Sequence, residues 1–186
     1  MNRHWALWLG MWLGFILATG CSAPRLSPEV HAGFNLTGTW TLDASKSDAP
    51  PSATRLVDQM DQELIRGSRD RDLYRQIGDG TVFAFIGQDF PVLLAERMEI
   101  DQSRESMGIH YEPGSYRDVS FGEKERGLWT VSAGWNAQGQ FIIYSDSDDI
   151  RGIETHELLN PSTLQVRLSV RADGGDLDLV RTFVRK

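Results

Sequence analysis

The chain has 186 residues, a length that favours about one domain. Charged residues make up 24% and hydrophobic residues 40%, a composition that is ordinary for a soluble globular domain and excludes wholesale disorder. The net charge of −7 argues against a nucleic-acid-binding protein, which needs a basic stripe. The single cysteine excludes an intrachain disulfide and a cysteine-based zinc site.

The first twenty residues have the layout of an export signal. A short basic start precedes the apolar run at 5–18, whose 14 residues are fewer than the roughly 20 that span a bilayer. Small residues follow and stop at Cys21. This stretch resembles the bacterial lipobox, although Ala18 stands where leucine is usual. The resemblance implies a signal peptide over 1–20 and lipidation of Cys21. The alternative is an ordinary cleaved signal with a chance cysteine.

The resemblance also implies a location. Several acyl chains, palmitate among them, on Cys21 would hold the protein to a lipid bilayer, because stable anchoring takes more than one chain. In Gram-negative lipoproteins an aspartate directly after the cysteine tends to retain the protein in the inner membrane, and here that residue is Ser22. We therefore expect a lipid-anchored protein of the bacterial cell envelope, on the outer membrane and facing the periplasm.

The anchored part divides into a tether and a folded domain. Residues 21–34 contain proline and serine without a clean period, which predicts a tether to a domain over 35–186. The domain opens with a strand at Leu36–Asp43. A short helix is predicted over 53–66, because its apolar residues recur along one face.

The rest of the domain alternates at period two, with turn signals between the segments. Leu164, Val166, Leu168 and Val170 alternate with polar residues, as a sheet with one buried face requires. The further predicted strands are 81–86, 94–101, 106–111, 116–121, 127–135, 140–146, 152–159, 163–171 and 177–185. We expect a mainly β fold, an antiparallel up-and-down meander that closes into a barrel because closure removes the exposed edges.

Three short motifs support this fold. Gly38-Thr39-Trp40 begins the first strand, as Gly-x-Trp does in lipocalins, and Arg181 lies in the last. The chain also resembles uncharacterised bacterial exported lipoproteins with a lipocalin-like (calycin-type) β-barrel, through Gly38–Leu42, Ser47–Pro50 and Arg181–Arg185. The resemblance implies a barrel in which Arg181 covers Trp40 as a structural pair, and it carries no activity. The helix departs from lipocalins, where it follows the strands.

Candidate ligand contacts come from the aromatic residues. Trp129, Trp135 and Phe141 are predicted to line a pocket for a small apolar or amphipathic ligand. The alternative is that the aromatic side chains simply fill the barrel, since an eight-stranded barrel is just wide enough for either arrangement.

Catalytic and metal-binding signals are weak. Glu154 and His156 share a face of their strand, but a zinc site needs three or four ligands, so we predict no metal. No nucleophile motif and no cofactor motif is present. We expect a non-catalytic, membrane-anchored periplasmic protein whose lipocalin-like domain binds a small ligand. The alternatives are a structural or protein-interaction lipoprotein with a filled barrel and, with least support, a hydrolase.

Overall fold

A computed structural model describes residues 23–50, 89–127, 129–147, 150–172 and 175–186. The predicted signal peptide at 1–20, the lipidation site Cys21, the predicted helix at 53–66 and the predicted strand at 81–86 lie outside the described residues and stay predictions.

The described residues form ten antiparallel strands in one sheet. The strands are β1 Gly38–Leu42, β2 Arg97–Gln102, β3 Ser106–Glu112, β4 Ser115–Ser120, β5 Gly122–Arg126, β6 Trp129–Trp135, β7 Phe141–Asp146, β8 Ile150–Asn160, β9 Thr163–Ala172 and β10 Gly175–Arg185. Their order is β4-β3-β2-β1-β10-β9-β8-β7-β6-β5. Strands that are consecutive in sequence therefore pair with each other, except β4 and β5, which form the two edges of the sheet, and β1 also pairs with β10. This confirms the predicted mainly β, up-and-down meander, which curls into a nearly closed barrel.

The buried face of the sheet follows the alternation in the sequence. On β9, Leu164, Val166, Leu168 and Val170 are buried, while Arg167 and Arg171 are exposed. The inward side chains of the other strands join the same core, which includes Trp40, Met98, Ile109, Phe141 and Phe183. Burial of this one face is what drives the closure of the sheet.

Strand β5 was not predicted. Its sequence, Gly-Glu-Lys-Glu-Arg, has no apolar residue, and its four charged side chains are exposed. Its position is set by backbone pairing with β6, from Gly122 opposite Ala133 to Arg126 opposite Trp129. An edge strand with charged side chains on both faces gives no alternation to detect.

Two short 3-10 helices flank the strands. Ala44–Lys46 follows β1 and is capped by Asp43, whose carboxylate accepts from the backbone N–H of Ser45 at 3.1 Å. Pro91–Leu93 precedes β2, and its three side chains are buried. Within the described ranges, no helix has the length and apolar character needed to cross a membrane.

The segment before β1 is bound to one end of the barrel, which we call the lower end. Ser27 forms an antiparallel bridge with Trp135, through N–H···O contacts of 2.9 and 2.8 Å between the two backbones. The Gln102 side chain accepts from the N–H of Leu36 at 2.9 Å and donates to the carbonyl of Phe34 at 3.3 Å. The later residues of the predicted tether therefore lie against the barrel.

Candidate functional site

A buried ion pair crosses the interior of the barrel. Arg117 on β4 donates a hydrogen bond from Nη1 to Oε1 of Glu154 on β8, and Nη2 lies 3.2 Å from the hydroxyl of Ser145 on β7. The side chain of Glu154 is 0% exposed and that of Arg117 is 16% exposed. Since β4 and β8 are far apart in the strand order, this cross-lumen pair joins opposite walls of the barrel.

Several buried polar atoms beside this pair have no hydrogen-bond partner of good geometry within the described part of the chain. They are Oε2 of Glu154, both ring nitrogens of His156 and the hydroxyl oxygen of Tyr111. All three residues are 0% exposed. The Tyr111 hydroxyl still lies near Arg117, and the His156 ring lies near the backbone of Phe141. Buried polar groups are nearly always hydrogen-bonded in folded proteins, so these atoms are open to a bound polar group. We call Tyr111, Arg117, Ser145, Glu154 and His156 the polar cluster.

The environment fixes the charge of the polar cluster. Burial, reinforced by Arg117 and opposed by Glu154, lowers the pKa of His156 from 6.5 to about 4, so its imidazole is neutral at pH 7. Burial and the charge of Glu154 raise the pKa of Tyr111, which keeps the phenol neutral. Burial lowers the pKa of Arg117, but Glu154 and Tyr111 outweigh it and raise that pKa overall. The polar cluster therefore carries one positive and one negative charge.

Two of the three predicted ligand contacts lie together below the polar cluster. The ring centroids of Trp135 and Phe141 are 5.0 Å apart, and Phe34 and Phe121 pack on the same group. We call these four residues, Phe34, Phe121, Trp135 and Phe141, the aromatic floor. The centroids of the Phe141 and His156 rings are 5.8 Å apart, so the aromatic floor adjoins the polar cluster. A ligand with one polar end could therefore contact both.

Trp129, the third predicted contact, lies elsewhere. It is at the other end of β6, about 20 Å from Trp135 at roughly 3.4 Å per strand residue. Its ring packs edge-on against Phe90, with centroids 5.9 Å apart. The three residues consequently do not form a single contact surface, and their role in ligand binding stays a prediction.

The arginine that covers Trp40 is Arg185, which corrects the predicted pair of Trp40 with Arg181. The Arg185 guanidinium carbon lies 4.4 Å from the Trp40 ring centroid, and the two residues are paired across β1 and β10. Arg181 is four residues earlier on the same inward face, opposite Val166. It donates instead to the carbonyls of Asp48 and Ala95, at 3.0 and 2.8 Å. The register of β1 against β10 decides between the two arginines.

The two histidines of the strands point to opposite sides of the barrel wall. His156 is buried inside, whereas His110 on β3 is exposed and lines an open groove on the outer face with Glu99, Asp101, Tyr116 and Asp118. A site that uses both histidines is therefore excluded. Among the residues the structure describes, no three His, Cys, Asp or Glu side chains come close enough to hold a metal ion.

The sequence carried a signal for part of the polar cluster. The alternation places Glu154 and His156 on one face, and it places Arg117 on the same face as Val119 of β4 and Phe121, the residue directly after β4. A charged residue such as Arg117 that alternates in phase with buried apolar residues indicates a buried charge, and the prediction from the sequence did not use this signal. Nothing in the sequence shows that Arg117 and Glu154 meet, because they lie on strands that are not paired with each other.

Comparisons with known proteins give structural likeness only. No protein-family model matches the chain, and no curated protein matches it. The fold is similar to lipid binding protein 8 of Caenorhabditis elegans, with 15% identity, a TM-score of 0.46, and coverage of 81% of this chain and 94% of that one. An ileal bile acid-binding protein of zebrafish gives 15% identity, a TM-score of 0.43, and coverage of 81% and 98%. A luciferase domain of the dinoflagellate Lingulodinium polyedrum gives 11% identity and a TM-score of 0.45, and the match covers 90% of this chain and 46% of that one.

Proposed function

We propose that this protein is a non-catalytic, lipid-anchored module of the bacterial outer membrane that faces the periplasm and binds a small amphipathic ligand inside its barrel. One observation carries the proposal: a carboxylate oxygen of the fully buried Glu154 has no hydrogen-bond partner, and it lies with the buried His156 and Tyr111 beside the aromatic floor. Ligand sites combine mostly apolar walls with a few convergent polar groups. The inward faces of β3, β7 and β8 supply both.

The polar cluster does not assemble a nucleophile with its base. Ser145 is opposite Gly152 in the pairing of β7 with β8, whereas His156 is opposite Phe141, four residues away along the strand. Ser145 is instead a hydrogen-bond partner of Arg117. A hydroxyl activated for attack needs a base within hydrogen-bond reach, so this arrangement supports binding rather than acyl transfer.

Photolabelling tests the ligand site. The full chain in phospholipid nanodiscs is irradiated with an amphiphile that carries a diazirine on its hydrocarbon chain, and the modified residues are located by mass spectrometry. We expect label on the inward residues Ile143 and Leu168, which are 0% and 1% exposed, and much less on the outward Arg167 and Ser169. Label confined to outward residues would contradict a ligand inside the barrel.

A filled barrel that acts through its outer surface is the second candidate. The observation that favours it is the cross-lumen pair itself, because the side chains of Arg117 and Glu154 meet inside the barrel from strands on opposite walls. The labelling experiment separates the two functions, since a filled interior admits no amphiphile.

Anchoring is tested separately. Cys21→Ser removes the acceptor of the acyl chains, so the protein should move from the membrane fraction to the soluble fraction. Ser22→Ala is the matched control, because it changes the adjacent residue and keeps the cysteine. A Cys21→Ser protein that stays in the membrane fraction would refute the lipidation of this residue.

A further inference from the structure

We infer that the polar end of the ligand is an uncharged hydroxyl group, and that the barrel discriminates against carboxylate lipids. This inference rests on the proposed ligand-binding function and adds the chemical class of the ligand. The geometry of Arg117 and Glu154 carries it.

The first step is the balance of charge around Arg117. An unpaired arginine in an apolar interior would attract a carboxylate, but the Arg117 guanidinium is already bound to Glu154. Asp89, at the start of the segment that leads to β2, also lies close enough for its charge to interact with Arg117. A carboxylate ligand would have to displace Glu154 or lie beside it, and two carboxylates in one buried site repel each other.

Arg181 is the other buried arginine within the described residues, and it is engaged elsewhere. Its guanidinium donates to the carbonyls of Asp48 and Ala95, and its charge interacts with Glu96 and Asp48. Arg181 therefore does not supply a free positive charge to the polar cluster.

The second step is the inventory of donors and acceptors. Glu154 Oε2 is an acceptor that lacks a donor. The neutral His156 ring has one N–H, which faces the Phe141 backbone, and one acceptor nitrogen. The Tyr111 oxygen lies near Arg117, which leaves the hydroxyl hydrogen to donate. An ionised carboxylate has no hydrogen to give to Glu154. A hydroxyl group can donate to Glu154 and accept from Tyr111, so it matches the open atoms. An ammonium group would satisfy Glu154 but would face the positive charge of Arg117.

The third step is the surface around these atoms. Glu154 is paired with Ile143 on one side and Leu168 on the other, and Arg117 is paired with Ile109. All three apolar residues are buried. The polar cluster is thus a small hydrogen-bonding spot in an apolar interior, which suits one hydroxyl on a hydrocarbon body such as a fatty alcohol.

The test compares two diazirine probes of equal chain length, a fatty alcohol and a fatty acid, on the full chain in nanodiscs. We expect the alcohol to label Ile143 and Leu168 about tenfold or more above the acid at equal concentration, because the acid leaves the Glu154 carboxylate without a donor. Labelling of these residues by neither probe would overturn the proposed ligand site altogether. Equal labelling, or a preference for the acid, would overturn only the hydroxyl assignment.

Three variants sharpen the result. Glu154→Gln removes the negative charge that is bound to Arg117, so the preference should reverse towards the acid. Glu99→Gln makes the same change on the outer face and should keep the preference for the alcohol. Tyr111→Phe should lower alcohol labelling several-fold without raising acid labelling. If Glu154→Gln does not fold, the comparison of the two probes on the unmodified protein and on Tyr111→Phe still decides the question. A Glu154→Gln protein that folds and keeps the preference for the alcohol would contradict the charge argument.

Discussion

The buried histidine makes stability depend on pH, and replacing it should remove part of that dependence. His156 has a pKa lowered to about 4 in the folded protein by burial, whereas an unfolded histidine titrates near 6.5. The unfolded chain therefore takes up a proton at a pH where the folded chain does not. The stability associated with His156 is fully present above pH 6.5 and is lost as the pH falls from 6.5 towards 4. These two values give a loss of about 2 kcal/mol between about pH 7.5 and pH 5.

Urea unfolding of the full chain, followed by tryptophan fluorescence at about pH 7.5 and pH 5, measures this loss. His156→Gln should lose about 2 kcal/mol less than the unmodified protein over that interval, because glutamine does not titrate. Other groups also titrate there, so the difference between the two proteins is the quantity of interest. His110→Gln, on the exposed outer face, should behave as the unmodified protein does. Equal losses in the unmodified protein and in His156→Gln would refute the reasoning.

Two further changes test the lower end of the barrel. Trp40→Ala should lower the free energy of unfolding by about 3–5 kcal/mol, because the ring is fully buried and covered by Arg185. The melting temperature should fall by more than about 6 °C. A melting temperature within about a degree of the unmodified protein would contradict this packing. In Gly134→Val the new side chain would clash with the backbone carbonyl oxygen of Ser27, so amide exchange at Ser27 should accelerate. Ser132→Val, on the same face of β6, should leave that exchange unchanged.

Much of the barrel follows from local pattern. The alternation of β9 fixes which of its residues face inwards, and the turn residues Asn136–Gly139 mark the hairpin between β6 and β7. Such signals need only neighbouring residues, since side chains on a strand alternate between faces. Strand β5 has no such signal, because both of its faces are charged and exposed.

The site depends on relations that the local pattern does not contain. Arg181 and Arg185 share a face of β10, so either could cover Trp40 until the register of β1 against β10 is known. Arg117 and Glu154 could each be placed on an inward face, but their contact depends on the curvature of the whole sheet. Trp129 and Trp135 lie on one strand and are separated by its length. Which of the inward side chains contact each other therefore depends on their position along the strand and on the closure of the barrel.

The bridge between Ser27 and Trp135 has a consequence for how the protein stands on a membrane. With Cys21 acylated as proposed, six residues join the lipid to Ser27, and a fully extended chain of that length reaches only about 20 Å. This short connection keeps the end of the barrel that carries Trp135 next to the bilayer. The opposite rim, at Pro91–Leu93, then faces the aqueous compartment. With that orientation, the rim at Pro91–Leu93 is the end of the barrel that meets dissolved molecules and other proteins of the compartment.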